Sequence, residues 1–429
     1  MQNIKKIKNM ETLKSIEFIQ LNENTPAEFV LIHIPDKDVF ISNWHPSSAL
    51  YEDVTEIKSI KYCMKQLTAI LNKHNVNVFT VRDCLKLNNE KLKELALKNL
   101  TYINTEKEDN NYDKEKYKKY LYYCSDEYKK SIIEKLLPDQ LVDIIITKPT
   151  YHLKYVDHNT FIEASQINFN PVGGLVFCRD QQITTQKGVI IGRAHSNQRE
   201  AENEIMEIVF KNLGAKIIGK IPEGTFLEGG DFFVAKDDLC MLGIGLRTKI
   251  EAAYYLMNNN LLGSRRFALV IDEFDLDQQR MHLDTYFNIL NNEHCLVLDF
   301  DDCSKVCGKN INRKVYLYDR KNNEERIKSD NNNIKSECGF YKLNKIFENF
   351  YDYLKYEGYK MIKVTHKQQE EYMINFLNIG NNTVLSVNPF LKELVKDTGV
   401  SVEYIEFKAI MNMYGAMHCA TQVGRRNSV

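Results

Sequence analysis

Cys419 lies ten residues from the end of a 429-residue chain, directly after His418. Most free cysteines are small buried apolar residues. One becomes a nucleophile when polar groups around it can remove its proton and stabilise what it attacks. Four other fragments carry such groups: Arg179-Asp180, Glu228-Gly229-Gly230-Asp231, Met281-His282-Leu283-Asp284-Thr285, and the arginines Arg199 and Arg247. Each has a structural reading of its own. The Glu-Gly-Gly-Asp stretch could be only a tight turn, and His282 with Asp284 could be a metal pair.

Taken together, Asp180, Glu228, Asp284, His282 and Cys419 suit one kind of substrate. A guanidinium is planar, permanently charged and rich in donors, so paired carboxylates grip it through bidentate hydrogen bonds. Carboxylates that hold the positive charge near the nitrogens keep the central carbon open to a thiol. His282 would protonate the departing amine, then take a proton from the water that cleaves the thiouronium intermediate.

Groups so far apart in sequence need a scaffold that gathers them. Phe29–Ile34 reads as a buried strand, with His33 as a core passenger. Ile57, Ile60, Met64, Leu67 and Leu71 form one helical face, and Asn75 precedes a strand over Val76–Val81. The same unit returns four times. Helix Ala201–Leu213 ends at Gly214 before Ala215–Ile218, and Thr248–Leu262 ends at Gly263 before Phe267–Ile271. Leu343–Glu357 ends at Gly358 before Met361–Val364, and Leu391–Thr398 ends at Gly399 before Val402–Ile405. A residue able to turn left-handed just past each helix is the common joint. Five such units suggest a ring of α/β modules, in which comparable stages of each unit converge on the axis.

Two stretches interrupt the units. From 84 to 148 the spacing of Leu92, Leu95, Ala96 and Leu100, then of Ile132, Ile133, Leu136 and Leu137, predicts a helical insertion, with a solvated linker over Thr105–Tyr120. The Asn-rich run Lys321–Lys335 is expected to be a surface loop. The chain therefore divides into an α/β domain over 25–83 and 149–429 and an insertion over 84–148.

Bulk composition narrows the partners. A formal net charge of −1 argues against nucleic acid, which needs a clustered basic surface. No stretch approaches 18 unbroken apolar residues and no signal-like segment is seen, so a cytosolic protein without membrane association is expected. Ten cysteines are scattered, and Cys303 and Cys307 lack a second pair at zinc-site spacing, so neither a disulfide framework nor a structural metal is expected.

The fragments Phe177-Cys178-Arg179-Asp180, Glu228-Gly229-Gly230-Asp231, Met281-His282-Leu283-Asp284-Thr285 and His418-Cys419 resemble arginine deiminase, of the guanidine-modifying or pentein superfamily. Their order and spacing match over nearly the whole chain, and Leu136-Leu137-Pro138-Asp139-Gln140-Leu141-Val142-Asp143 looks like the end of that family's helical subdomain. The resemblance implies a five-module α/β propeller and cofactor-free hydrolysis of L-arginine to L-citrulline and ammonia. Cys419 would be the nucleophile, His282 the acid and base, and Asp180, Glu228 and Asp284 the guanidinium ligands. Arginines matching Arg199 and Arg247 hold the substrate's α-carboxylate. Phe177 falls in a matching motif, and Leu50-Tyr51-Glu52-Asp53 resembles a segment that closes over the site, which puts Phe177, Leu50 and Asp53 among the expected substrate contacts. A small-molecule partner is implied, and the oligomeric state, homo-oligomer included, stays open.

Two departures stand at the rim. Gly174 replaces the usual asparagine six residues before the aspartate, and Tyr414 the usual arginine five residues before the nucleophile. They touch the end that reads the amino-acid part of the substrate. Rivals are therefore a sister activity (agmatine deiminase, methylarginine hydrolase or amidinotransferase), a metal-dependent hydrolase using the same carboxylates and His282, and an arginine-binding relative without turnover.

Overall fold

Asn75, Gly214, Gly263, Gly358 and Gly399 all adopt the left-handed conformation, with φ of 60°, 78°, 87°, 83° and 72°. These angles come from a computed structural model, which describes residues 17–106, 112–156, 159–321 and 335–426. After each joint the chain enters a strand parallel to the central strand of its unit: Asn77–Thr80 beside Ala27–Ile32, Ile217–Lys220 beside Val189–Ile191, Arg266–Ile271 beside Leu239–Ile244, Lys360–Val364 beside His294–Leu298, and Ser401–Tyr404 beside Thr383–Ser386. The joint is needed because the helix must reverse onto its own strand within a few residues.

Every unit also has an antiparallel third strand on the other side of the central one. In the second to fifth units it comes first: Gln182–Thr184, Phe232–Lys236, Phe287–Ile289 and Leu377–Gly380. In the first unit it comes last, since Gln422–Arg426 returns to pair with Ala27–Ile32. The result is an α/β fold of five similar units, each with a three-stranded core that in the third is extended to six strands by Lys314–Arg320, Tyr341–Phe347 and Glu337–Cys338, and Gln422–Arg426 completes the first sheet. Packing follows the predicted stripes. Ile60, Met64, Leu67 and Leu71 of helix Ile57–Lys73 are fully buried, each contributing roughly 1.5–3 kcal/mol of transfer free energy. His33 is buried as expected, with Nε2 2.8 Å from Asp38 Oδ2.

The sequence patterns mislead in three places. Leu343–Glu357 is not one helix: Tyr341–Phe347 is a strand, antiparallel to Lys314–Arg320, and only Phe350–Tyr356 is helical after the Asn349 cap. Leu343, Ile346, Phe347 and Phe350 suit a helical period as well as a strand, and pairing with Lys314–Arg320, itself hydrogen-bonded to Arg266–Ile271, decides it. The charged stretch Thr105–Tyr120 contains the start of helix Lys114–Tyr123, and Tyr120 is fully buried, its hydroxyl donating to the Leu153 carbonyl at 2.9 Å. Finally, the 84–148 stretch is not wholly helical. Thr101–Asn104 pairs with Thr150–Tyr155, which pairs with Ile162–Asn168, so this small sheet crosses the expected boundary at 148. The loop expected over Lys321–Lys335 lies, but for its end residues, outside the described residues. Among the described residues no helix is long and apolar enough to cross a membrane.

Candidate active site

The polar residues singled out in the sequence occupy one structural position. Asp180, Glu228, Asp284 and Cys419 each lie in the turn leading into the antiparallel third strand of a unit: Gln182–Thr184, Phe232–Lys236, Phe287–Ile289 and Gln422–Arg426. The equivalent turn of the remaining unit, just before Leu377–Gly380, carries Asn375. Sequence reasoning missed Asn375. The repeat was the signal that could have found it, because a fifth unit should offer a fifth polar residue at the same stage.

Hydrogen bonds link these five turns in a closed circuit. Arg179 N donates to the Cys419 carbonyl at 3.1 Å, and Gly229 N to the Asp180 carbonyl at 3.0 Å. Leu283 N donates to Asp231 Oδ1 at 2.9 Å, Asn375 Nδ2 to the Asp284 carbonyl at 3.3 Å, and His418 N to the Asn375 carbonyl at 3.2 Å. Bonds between buried groups leave little slack. The turns therefore hold one another, and the side chains on them are positioned to within a hydrogen bond.

Cys419, His282 and Asp180 line one end of a cavity of about 310 Å³. Asn375 Nδ2 donates to Cys419 Sγ at 3.2 Å, while its Oδ1 accepts from the backbone N–H groups of His418 at 3.1 Å and Cys419 at 3.3 Å. Asp284 Oδ2 is 3.7 Å from the same sulfur and 2.7 Å from His418 Nδ1. Burial first, then Asp284 and Asp180, hold the Cys419 thiol well above its ordinary range.

His282 is shifted upward too, which for an imidazole favours the charged form. Burial works against its charge, but Asp180, the Glu228 hydrogen bond and Asp231 outweigh it and push its pKa up to about 10. His282 Nε2 bonds Glu228 Oε2 at 2.7 Å, and Glu228 Oε1 accepts from His195 N at 2.8 Å. Both Glu228 oxygens are therefore spent, and neither Glu228 nor Asp284 walls the cavity directly. The imidazole fits against the turn because residue 230 has no side chain: a Cβ there would sit 2.7 Å from His282 Nδ1. Three buried polar atoms at this end have no hydrogen-bond partner among the described residues, namely His282 Nδ1, Asp180 Oδ1 and Asp284 Oδ1. Buried acceptors without donors are costly, so the two oxygens mark where a donor-rich ligand would bind. Asp180, Glu228 and His282 also bring one ligand atom each within 4.8 Å of one another, close enough to hold a metal ion.

The two arginines of the cavity wall differ. Arg199 donates to Asp180 Oδ2 at 2.8 Å, Glu202 Oε2 at 3.0 Å and the Gly174 carbonyl at 3.1 Å, so its guanidinium is committed to the protein. Arg247 donates to Gln278 Oε1 at 2.9 Å, and its Nε has no partner among the described residues. Phe177, Leu50 and Tyr414 line the cavity, Leu50 and Tyr414 with left-handed backbones. Asp53 does not join them. It is exposed, its backbone N–H tied to the Asn412 carbonyl at 3.0 Å, and it is absent from the cavity wall. Glu202, a further residue missed in the sequence, explains Gly174: a Cβ at 174 would lie 2.5 Å from Glu202 Oε1 and 2.7 Å from Arg199 Nε. Gly174→Ala should therefore force this buried pair apart at a cost of roughly 1–3 kcal/mol, read as a lowered urea midpoint. An unchanged midpoint would show that the pair yields freely.

The family described as "ADI: Arginine deiminase" matches residues 48–426. The arginine deiminase of Borreliella burgdorferi (strain ZS7) is 25% identical over 262 residues, covering 58% of this chain and 60% of that protein. That of Halobacterium salinarum (strain ATCC 29341 / DSM 671 / R1) is 23% identical over 339 residues, 60% of this chain and 65% of that one. The chain thus spans about three fifths of the length of the curated relatives it matches. Among solved structures, a dimethylarginine dimethylaminohydrolase adduct with 4-chloro-2-hydroxymethylpyridine has a TM-score of 0.47 at 12% identity, covering 92% of this chain and 98% of that one. Unliganded AgrE has a TM-score of 0.43 at 17% identity, covering 59% and 30%. Since the family match runs from residue 48 to residue 426 and takes in all five turns of the site, the chain belongs to the arginine deiminase family.

Proposed function

We propose that the protein hydrolyses L-arginine to L-citrulline and ammonia through a covalent intermediate on Cys419. The observation that carries this reading is the meeting, on one cavity wall, of a thiol, a protonated imidazole and the Asp180 carboxylate, with Asp284 just behind at 3.7 Å from the sulfur. A guanidinium would donate to Asp180 Oδ1 and Asp284 Oδ1. Its charge would offset the two carboxylates that, after burial, hold the thiol up, so that binding and thiolate formation go together. The C–S bond forms and a C–N bond breaks. The thiol releases its proton to solvent on binding, and His282 gives its own to the leaving nitrogen, so that ammonia departs and a neutral imidazole remains. Water then attacks the thiouronium carbon, one of its protons restores the His282 imidazolium, and the other leaves with the Cys419 sulfur as citrulline forms. In this scheme Glu228 positions His282, and Asn375 positions Cys419. We also take the five units to close into a five-module propeller, with the 84–148 stretch and the strands Thr150–Tyr155 and Ile162–Asn168 that pair with it inserted between its first and second modules.

The substrate's α-carboxylate would fall to Arg247, since Arg199 is already paired. A second reading follows from that same commitment and from Gly174 and Tyr414: agmatine, a guanidino substrate without a carboxylate, in a site with less demand for one. The ratio of kcat/KM for arginine to that for agmatine separates the two. A charge-assisted pair is worth roughly 1.5–3 kcal/mol, so Arg247→Ala should cut kcat/KM for arginine about tenfold or more. Agmatine, which lacks the carboxylate, should be poor in the parent and scarcely affected by the substitution. A parent that prefers agmatine, or a ratio that stays put in Arg247→Ala, favours the second reading.

A further inference from the structure

Cys303 and Cys307 stand one turn apart on helix Phe300–Cys307, so their side chains share a face. Tertiary packing sets a third group against them. His366, the first residue of helix His366–Glu370, brings Nδ1 to 3.5 Å from Cys303 Sγ and Nε2 to 4.0 Å from Cys307 Sγ, while the two sulfurs are 3.7 Å apart. The sulfur–sulfur distance and the Cys303–Nδ1 distance match two edges of a metal tetrahedron, and one ligand atom from each of the three residues lies within 4.8 Å of the others. Bonds of about 2.3 Å to sulfur and about 2.0–2.1 Å to nitrogen give S–S edges of about 3.8 Å and S–N edges of about 3.5 Å.

We propose that Cys303, Cys307 and His366 Nδ1 bind one Zn²⁺, away from the candidate active site. Two thiolates and a neutral imidazole suit this borderline-soft ion, and two thiol protons are released on binding. The surroundings supply what such a site requires. Glu370 Oε1 lies 3.5 Å from His366 Nε2, the place of the carboxylate that accepts the other ring N–H of a metal-bound histidine. Cys303 is fully buried, whereas Cys307 is only partly so, which gives the ion a way in and leaves a fourth position for water. The backbone is already fixed for the purpose, His366 N donating to Asp302 Oδ2 at 2.8 Å.

The site would clamp the helix that supports the active-site loop. Gln369 Nε2 donates to the Gln279 carbonyl at 2.9 Å, next to the Gln278 that holds Arg247, and the segment leaving this helix reaches Asn375. A Cys303–Cys307 disulfide is the competing fate of the thiols, and would require the sulfurs to close from 3.7 Å to about 2.05 Å.

The test uses the full reduced chain carrying Cys419→Ser, which removes the active-site thiol. Titration with Co²⁺ should give, at one equivalent, a thiolate-to-cobalt charge-transfer band with tetrahedral ligand-field bands. One equivalent of Zn²⁺ should displace it and raise the Tm. Cys307→Ser should lose the band and bind Zn²⁺ at least about 100-fold more weakly, since outer-shell changes alone cost about 10–100-fold. Glu370→Gln, at a half-exposed position, should fall within that smaller range and provides a reading if the buried Cys303→Ser fails to fold. Absence of a thiolate band would overturn the proposal, as would a band that survives Cys307→Ser. So would a Cys303–Cys307 disulfide that forms in zinc-containing buffer in preference to the bound ion.

Discussion

Cys419→Ser should bind arginine close to normally and turn it over on the order of 10⁴-fold more slowly or worse, because a hydroxyl fills the same space but lacks the nucleophilicity of a thiolate. The site is built around that sulfur. Asn375 donates to it, the backbone at 418–419 is pinned by the same amide, and Asp284 stands 3.7 Å away. Citrulline release under saturating arginine, with binding followed by calorimetry, gives both numbers. The result also decides against the rival that uses Asp180, Glu228 and His282 as metal ligands. Hydrolysis by a metal-bound water would survive the loss of the thiol. A Cys419→Ser protein that keeps a substantial fraction of its rate would remove covalent catalysis from the account.

His282→Ala should lower kcat by about 10²–10⁴-fold, the usual worth of a positioned acid and base. The pH profile says more than the loss. With its pKa raised to about 10, the imidazole is protonated at neutral pH, and the acid form persists as pH rises until about 10, where it is lost. The rate should therefore decline on the alkaline side near that value. Glu228→Gln removes one of the interactions that raise the pKa, so the alkaline limb should move to lower pH as well as the rate falling. If the limb keeps its position in Glu228→Gln, the claim that Glu228 sets the protonation of His282 fails. Trapping of an adduct on Cys419 by acid quench and mass spectrometry should be easiest in His282→Ala, where the water step lacks its base.

Local pattern was enough for the repeating unit. The stripe Ile60, Met64, Leu67, Leu71 and the five left-handed joints are short-range features, written in residues a few positions apart. The chemistry-bearing residues were equally legible, since Cys419, His282, Asp180, Glu228 and Asp284 are rare types in short, recognisable fragments. Local pattern failed where two periods coincide, as at Tyr341–Phe347, and where charge masks a buried face, as at Tyr120. In both, pairing with a distant strand or carbonyl settled the matter, and no local signal reports that.

Roles were decided only by contacts across the fold. By composition Glu228 and Asp180 are both carboxylates for a guanidinium, yet Glu228 spends its oxygens on hydrogen bonds to His282 and the backbone of His195, while Asp180 keeps one without a hydrogen bond, 3.8 Å from His282 Nδ1. Arg199 and Arg247 read alike in the chain, but Glu202 and Asp180 engage the first and leave the second with unused donors. Asn375 stands in no motif and became visible only as the fifth turn, hydrogen-bonded to the sulfur. Cys303 and Cys307, without a second pair in the sequence, acquire one in His366, whose helix packs against theirs. The sequence by itself determined which elements form and which reactive groups the protein owns, because propensity, periodicity and residue type are local. Tertiary structure decided which group each one answers to, because hydrogen bonds and burial are settled between residues that meet only when the five units are assembled.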